Sequence, residues 1–202
     1  MHLQLKTAAG APLAYTGHTR RPAISRSWAL GMLTSVMLRV RTDADLPGCV
    51  ATLHEVHRQD RYPTWWPEDP AGWLSPPGTV AAWVALDDDG SVLGHLSVVS
   101  PVEDHMVAET LGVHIDRLAA VSRLFVSPVA RGRALRLGSR LLGAARGWAE
   151  RSGLRLMLDV LDDGAPAVAL YERCGWRLVD RRQTDWLTPE GLRHGVRVYV
   201  AP

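Results

Sequence analysis

Two apolar runs, residues 80–86 and 92–99, flank Asp87, Asp88, Asp89 and Gly90 and commit the middle of the chain to a β-hairpin. Val, Leu and Trp suit a pleated, half-buried surface, and an Asp-Gly step supplies the turn geometry that joins two antiparallel strands. A lone hairpin cannot bury its own faces, so the rest of the chain must supply more strands and covering helices. It does both. A second hairpin is predicted at the end, residues 176–187 and 193–200, around Thr188, Pro189, Glu190 and Gly191.

The intervening segments alternate in period. Residues 36–41 read as a short strand. Asp43, Asp45 and Pro47 then open a helix over 48–60, with Val50, Leu53 and Val56 at helical spacing. Residues 62–78 are dense in proline, which excludes a regular helix or central strand and predicts a loop carrying Trp65, Trp66 and Trp73. Residues 100–116 show no clear period. A strand is predicted over 117–126, ending at Ser127 and Pro128. Leu137, Leu141, Leu142, Ala145 and Ala149 mark one face of a helix closed by Gly153. A buried strand follows over 154–160. Asp162 and Pro166 then open a short helix over 167–173, closed by Gly175. The order β-α-loop-β-β-β-α-β-α-β-β is an α/β pattern with a mixed sheet. Residues 1–35, rich in Ala, Gly, Thr, Ser and Arg without sustained periodicity, read as a flexible N-terminal extension, and 36–202 as the folded domain. A later start of translation, at Met32 or Met37, is a hypothesis that this composition suggests.

Composition narrows the function classes. The chain has 202 residues, 47% hydrophobic and 22% charged, which suffices for one sizeable core. A net charge of +2 gives no global field for nucleic acid. No apolar run approaches the roughly 20 residues that cross a bilayer, and charges interrupt the first 33 residues where a signal peptide would need an apolar stretch. Cys49 and Cys174 show no CxxC spacing, and the eight histidines show no metal-binding spacing. The expectation is a cytoplasmic protein without disulfides or metal.

Two segments carry chemistry. In the first, a strand ending at Phe125 and Val126 runs into Arg131, Gly132, Arg133, Ala134, Arg136, Gly138 and Ser139, and then into a helix. Backbone N–H groups at a helix start attract anions, glycine lets the backbone approach closely, and arginine adds charge-assisted hydrogen bonds. A pyrophosphate suits such a place, although a basic turn with solvated arginines has the same composition. In the second, Leu170, Tyr171, Glu172 and Gly175 sit on and after the short helix that follows a buried strand. Tyr171 can donate a proton or hold a sulfur atom, or simply pack.

Together these segments resemble the GCN5-related N-acetyltransferase family. Val126, Pro128, Arg131, Gly132, Leu141 and Leu142 follow its V-x-P-x-x-R-G-x-G-x-G-x-x-L-L pattern in order. Ala167, Leu170, Tyr171, Glu172, Gly175 and Trp176 follow its A-x-x-L-Y-E-x-x-G-F pattern. Three departures stand out. The span from Arg131 to Leu142 is two residues longer than the pattern, so an enlarged or bulged loop is expected. Counting from Arg131 puts Ala134 and Arg136 at the later glycines, whereas counting back from Leu141 puts Arg136 and Gly138 there. Gly164 stands where an asparagine is common before the tyrosine helix.

The resemblance implies a mixed, mostly antiparallel central sheet with a splayed strand pair and flanking helices, and acetyl-CoA as acyl donor. It implies that the backbone near Phe125 and Val126 pairs with the pantetheine arm and that residues 131–139 hold the pyrophosphate. A primary amine, of a small molecule or a protein, attacks the thioester directly, and Tyr171 protonates or hydrogen-bonds the departing thiolate. His95, Glu103, Asp104, Glu109, His114 and Asp116 are candidates for the base. Trp65 and Trp66 are placed beside the acceptor, where Glu68 and Asp69 could attract a cation. A homodimer is left open. The competing readings are a non-catalytic acyl-CoA-binding regulatory module on the same fold, and a nucleic-acid-associated protein using its arginines.

Overall fold

The computed structural model describes residues 36–131, 133, 135–162, 166–184, 191 and 193–202. Its elements are β1 (Met37–Val40), α1 (Leu46–Asp60), α2 (Pro70–Leu74), β2 (Thr79–Leu86), β3 (Val92–Val99), α3 (His105–Leu111), β4 (Leu118–Val126), α4 (Pro128–Arg131), α5 (Leu137–Arg151), β5 (Arg155–Leu161), α6 (Pro166–Arg173), β6 (Arg177–Gln183) and β7 (Gly195–Val200). Both expected hairpins form. Gly90, at φ +83°, closes the first, as the Asp-Gly step requires. The expected extension over 1–35 lies outside the described residues.

The seven strands make one sheet in the order β1-β2-β3-β4-β5-β7-β6. Every pair is antiparallel except β4 with β5. Period-two alternation sends neighbouring residues to opposite faces. Trp83, Ala119, Leu156, Leu158 and Tyr199 join the cluster under Leu141, Leu142, Ala145 and Ala149 of α5. Val84 packs instead with Cys49, Leu53 and Val56 of α1, while Leu118, Met157, Val198 and Val200 pack with Val107 of α3. The sheet therefore separates α5 from α1 and α3.

Three helices were not expected from the sequence. Within the proline-dense stretch, one helical turn forms after all, because Pro70 occupies its first turn and Asp69 accepts a hydrogen bond from Gly72 N at 2.9 Å. In the unplaced stretch, Asp104 caps α3 by accepting from Val107 N at 3.0 Å, and Gly112 at φ +63° ends it. The four residues of α4 turn the chain immediately after β4. Among the described residues, no helix is long and apolar enough to cross a membrane.

Candidate active site

β4 and β5 pair over three positions only, Leu118 with Arg155, Ala119 with Leu156 and Ala120 with Met157. From Val121 onward β4 pairs with β3 alone. The cause lies in β4. Between Ser97–Ser122 and His95–Phe125, β3 advances two residues while β4 advances three. The extra residue is a β-bulge with Arg123 at φ +54°, and a bulge bends and twists its strand. The two parallel strands thus diverge toward their C-terminal ends, leaving backbone groups of β4 without a strand partner on one side.

Side chains over-determine this bulge. The carbonyl of Arg123 accepts from His95 Nδ1 at 2.9 Å, and His95 Nε2 accepts from Arg41 at 3.0 Å. Arginine only donates, so His95 is neutral with its proton on Nδ1. Burial draws its pKa down to about 4. Arg41 also donates to Leu74 O at 2.9 Å and Ser75 Oγ at 2.6 Å. Arg123 donates from Nε to Trp73 O at 3.0 Å and lies 4.0 Å from the centroid of the Trp73 ring. Tyr62 meets Trp73 edge to face at 5.8 Å.

The anion-binding candidates divide into two groups. Arg131 pairs with Asp60 of α1 and donates to Val126 O at 3.0 Å, while Arg133 pairs with Asp87 at 2.9 Å. Both guanidiniums hold the chain after β4 in place. Gly132 and Ala134 lie outside the described residues. Arg136 is exposed and caps α5 at φ +49°, a conformation that suits glycine. Both ways of counting the pattern put Arg136 at a glycine position. Gly138 and Ser139 fall in the first turn of α5, where the N–H groups have no acceptor within the helix. A Cβ on Gly138 would stand 2.8 Å from Leu170 Cδ2, so the missing side chain lets α6 approach α5. Ser139 Oγ accepts from Cys174 Sγ at 3.3 Å.

Tyr171 is buried on α6, in the cluster that joins α5 to the sheet, with ring contacts to Trp176 and Tyr199. Tyr199 Oη donates to Glu172 at 3.0 Å, which fastens α6 to β7. Burial raises the Tyr171 pKa far above the ordinary tyrosine range, and the charges of Tyr62 and Asp159 add to the effect. Burial likewise pushes Tyr62 up to about 12. Asp159, on β5 past its last pair with β4, also acts electrostatically on Tyr62 and Arg123. Arg123 on β4 and Asp159 on β5 thus lie past the last pair of the two strands, with Tyr62 and Tyr171 within electrostatic reach of Asp159.

Sequence reasoning passed over three of those four. Asp159 was legible as the one acidic residue in the apolar run of 154–160. Tyr62 and Arg123 carried no comparable signal. The candidate bases are not gathered there. Glu103 precedes α3 and Glu109 lies on it, Asp104 caps α3 and pairs with Arg182 at 2.8 Å, and His114 pairs with Asp116 at 2.8 Å on the surface. Both ring nitrogens of His95 are engaged. Trp65 and Trp66 remain 51% and 36% exposed, the latter against the rings of His54 and His57 at 5.2 and 5.4 Å. No cluster of three or more metal-ligating side chains occurs among the described residues.

No curated protein matches the sequence at a significant level. Solved structures do resemble the fold. The ribosomal-protein-S18-alanine N-acetyltransferase from Escherichia coli is 19% identical with a TM-score of 0.60, covering 83% of this chain and 94% of its own. Arabidopsis thaliana NAA60, solved in complex with acetyl-CoA, is 19% identical with a TM-score of 0.62, covering 82% and 97%. A GCN5-related N-acetyltransferase from Kribbella flavida is 23% identical with a TM-score of 0.58, covering 83% and 97%. The model of the Acetyltransferase (GNAT) family matches residues 50–176, a span that includes the bulge, the start of α5 and Tyr171. The chain belongs to the GNAT acetyltransferase family.

Proposed function

We propose that this chain transfers an acetyl group from acetyl-CoA to the amine of an acceptor. The observation that carries the reading is the gap between β4 and β5, which opens beside the start of α5 and the buried Tyr171. The residues present suit acetyl-CoA. The free side of β4 near Phe125 and Val126 offers backbone partners to an amide-bearing arm, as an added strand would use them. The N–H groups of Leu137, Gly138 and Ser139, with the exposed Arg136, offer donors to a pyrophosphate. Arg131 and Arg133, paired with carboxylates, position this segment.

Acetyl-CoA supplies the acyl group as a thioester. Asp159 takes the proton of the acceptor ammonium, directly or through water, which frees the nitrogen lone pair. As the new C–N bond forms and the C–S bond breaks, Tyr171 donates a hydrogen bond to the sulfur that leaves. The nitrogen sheds its second proton as the amide forms, and the leaving sulfur takes it up through the Tyr171 hydroxyl and departs as the thiol, while burial keeps Tyr171 protonated between turnovers. Trp65 and Trp66 border the acceptor side.

Calorimetry with acetyl-CoA, free CoA and a longer acyl-CoA tests the reading. Micromolar binding of acetyl-CoA, followed by thiol release with an amine, supports it. Binding without turnover favours the regulatory module, and no binding at millimolar acetyl-CoA removes the acetyltransferase reading.

A further inference from the structure

Arg123, on β4 past its last pair with β5, carries a cation that pairs with no carboxylate among the described residues. Its Nε is used by Trp73 O and its plane is fixed over the Trp73 ring, which leaves the two Nη groups without a protein acceptor among the described residues. The side chain is half-buried, and burial lowers its pKa. A cation partly withdrawn from water is costly unless a partner satisfies it. Asp159 stands exposed on β5, past its last pair with β4, and its charge is felt at Arg123 and Tyr171, yet it forms no ion pair with Arg123. The gap therefore holds one positive and one negative charge on opposite strands, with the rings of Tyr62 and Trp73 beside the cation.

Resting on the acetyltransferase reading of this site, we propose that the acceptor is an amino carboxylate, a free amino acid or close analogue, whose carboxylate is held by the Nη groups of Arg123 while its amine lies toward Asp159. Charge separation on the protein then matches charge separation on the substrate. A polyamine would bring a second cation against Arg123, and an uncharged amine would leave its donors unpaired. Arginine suits the task because its planar fork meets a carboxylate at two points. A site built to hydrogen-bond one substrate group rejects an analogue that lacks it.

The test compares each common L-amino acid with its own carboxamide in a thiol-release assay with acetyl-CoA. At least one amino acid is expected to exceed its carboxamide at least tenfold in kcat/KM. Arg123→Gln brings that ratio toward one, mainly through a higher KM for the amino acid, and Arg123→Lys restores part of it. Equal use of acid and amide by the wild type, turnover confined to amines without a carboxylate, or an unchanged ratio in Arg123→Gln overturns the proposal. Should Arg123→Gln not fold, the wild-type ratio and Arg123→Lys decide. Acetyl-CoA binding in calorimetry without turnover of any amino acid sinks this inference, whereas absent acetyl-CoA binding sinks the acetyltransferase reading itself.

Discussion

His95 donates its Nδ1 proton to the carbonyl oxygen of Arg123 at 2.9 Å, locking β3 to the one residue of β4 that departs from strand geometry. With Nε2 turned to Arg41, the ring has no room for a second proton. Its pKa near 4 in the fold lies below the ordinary 6.5. Between those values the unfolded chain takes up a proton that the folded chain refuses. Stability present above pH 6.5 is therefore lost as pH falls toward 4, by about 3 kcal/mol from this residue. Urea unfolding at pH 7, 6 and 5 should show the decline, and His95→Gln should flatten that part of it.

Tyr171→Phe removes the hydroxyl and keeps the ring that packs on Trp176 and Tyr199. The expected result is a fall in kcat on the order of 10²-fold. Acetyl-CoA affinity, read by calorimetry, should stay within about twofold, since the loss falls on the transition state. An unchanged kcat would take Tyr171 out of the reaction.

Gly138 separates two effects. Gly138→Ala adds about 1 kcal/mol of helix propensity but places a methyl group against Leu170 Cδ2, the mobile end of a side chain, so its net effect on melting should be small. Gly138→Val cannot be absorbed in that way. It should cost about 1–3 kcal/mol by pushing α6 off α5, and Tyr171 moves with Leu170. Thermal melts of both variants, alongside kcat, check the pair.

Arg136→Gly tests what the α5 cap contributes. Glycine accepts φ +49° without the left-handed penalty of roughly 1–2 kcal/mol, against an entropic cost of about 0.5–1 kcal/mol. Stability should hold or rise slightly, whereas Arg136→Val should lose more than 1 kcal/mol. If the α5 backbone carries most of the pyrophosphate binding, Arg136→Gly weakens acetyl-CoA by less than tenfold in calorimetry.

Much of the fold was legible because it follows from local rules. The Asp-Gly turn, the proline boundaries and the spacing of Leu141, Leu142, Ala145 and Ala149 each have one reading. The mixed sheet followed from the order of elements, and its splayed pair from the resemblance. The reason for the splay was hidden. Arg123 and Arg136 adopt positive φ without being glycine, and only tertiary hydrogen bonds or a helix cap hold them there. Charge alone left the partners of Arg131 and Arg133 open. The sequence shows two cations beside a glycine but cannot show that Asp60 and Asp87, distant along the chain, reach them. Asp159 was visible as an acid in an apolar run, yet its neighbours Tyr62 and Tyr171 come from two other segments.

Three residue pairs are all that zip β4 to β5, so the sheet has a seam near its middle. On one side lie β1 to β4, on the other β5, β7 and β6. Each half is laced internally by antiparallel pairs, and α5 spans both through Trp83 and Leu96 on one side and Leu156 and Tyr199 on the other. A molecule lying in the seam with hydrogen bonds to β4 would act as a mechanical splice as well as a reactant. Amide exchange along residues 121–126 would then slow when the donor binds, and the enzyme would be stiffest at the moment it is loaded.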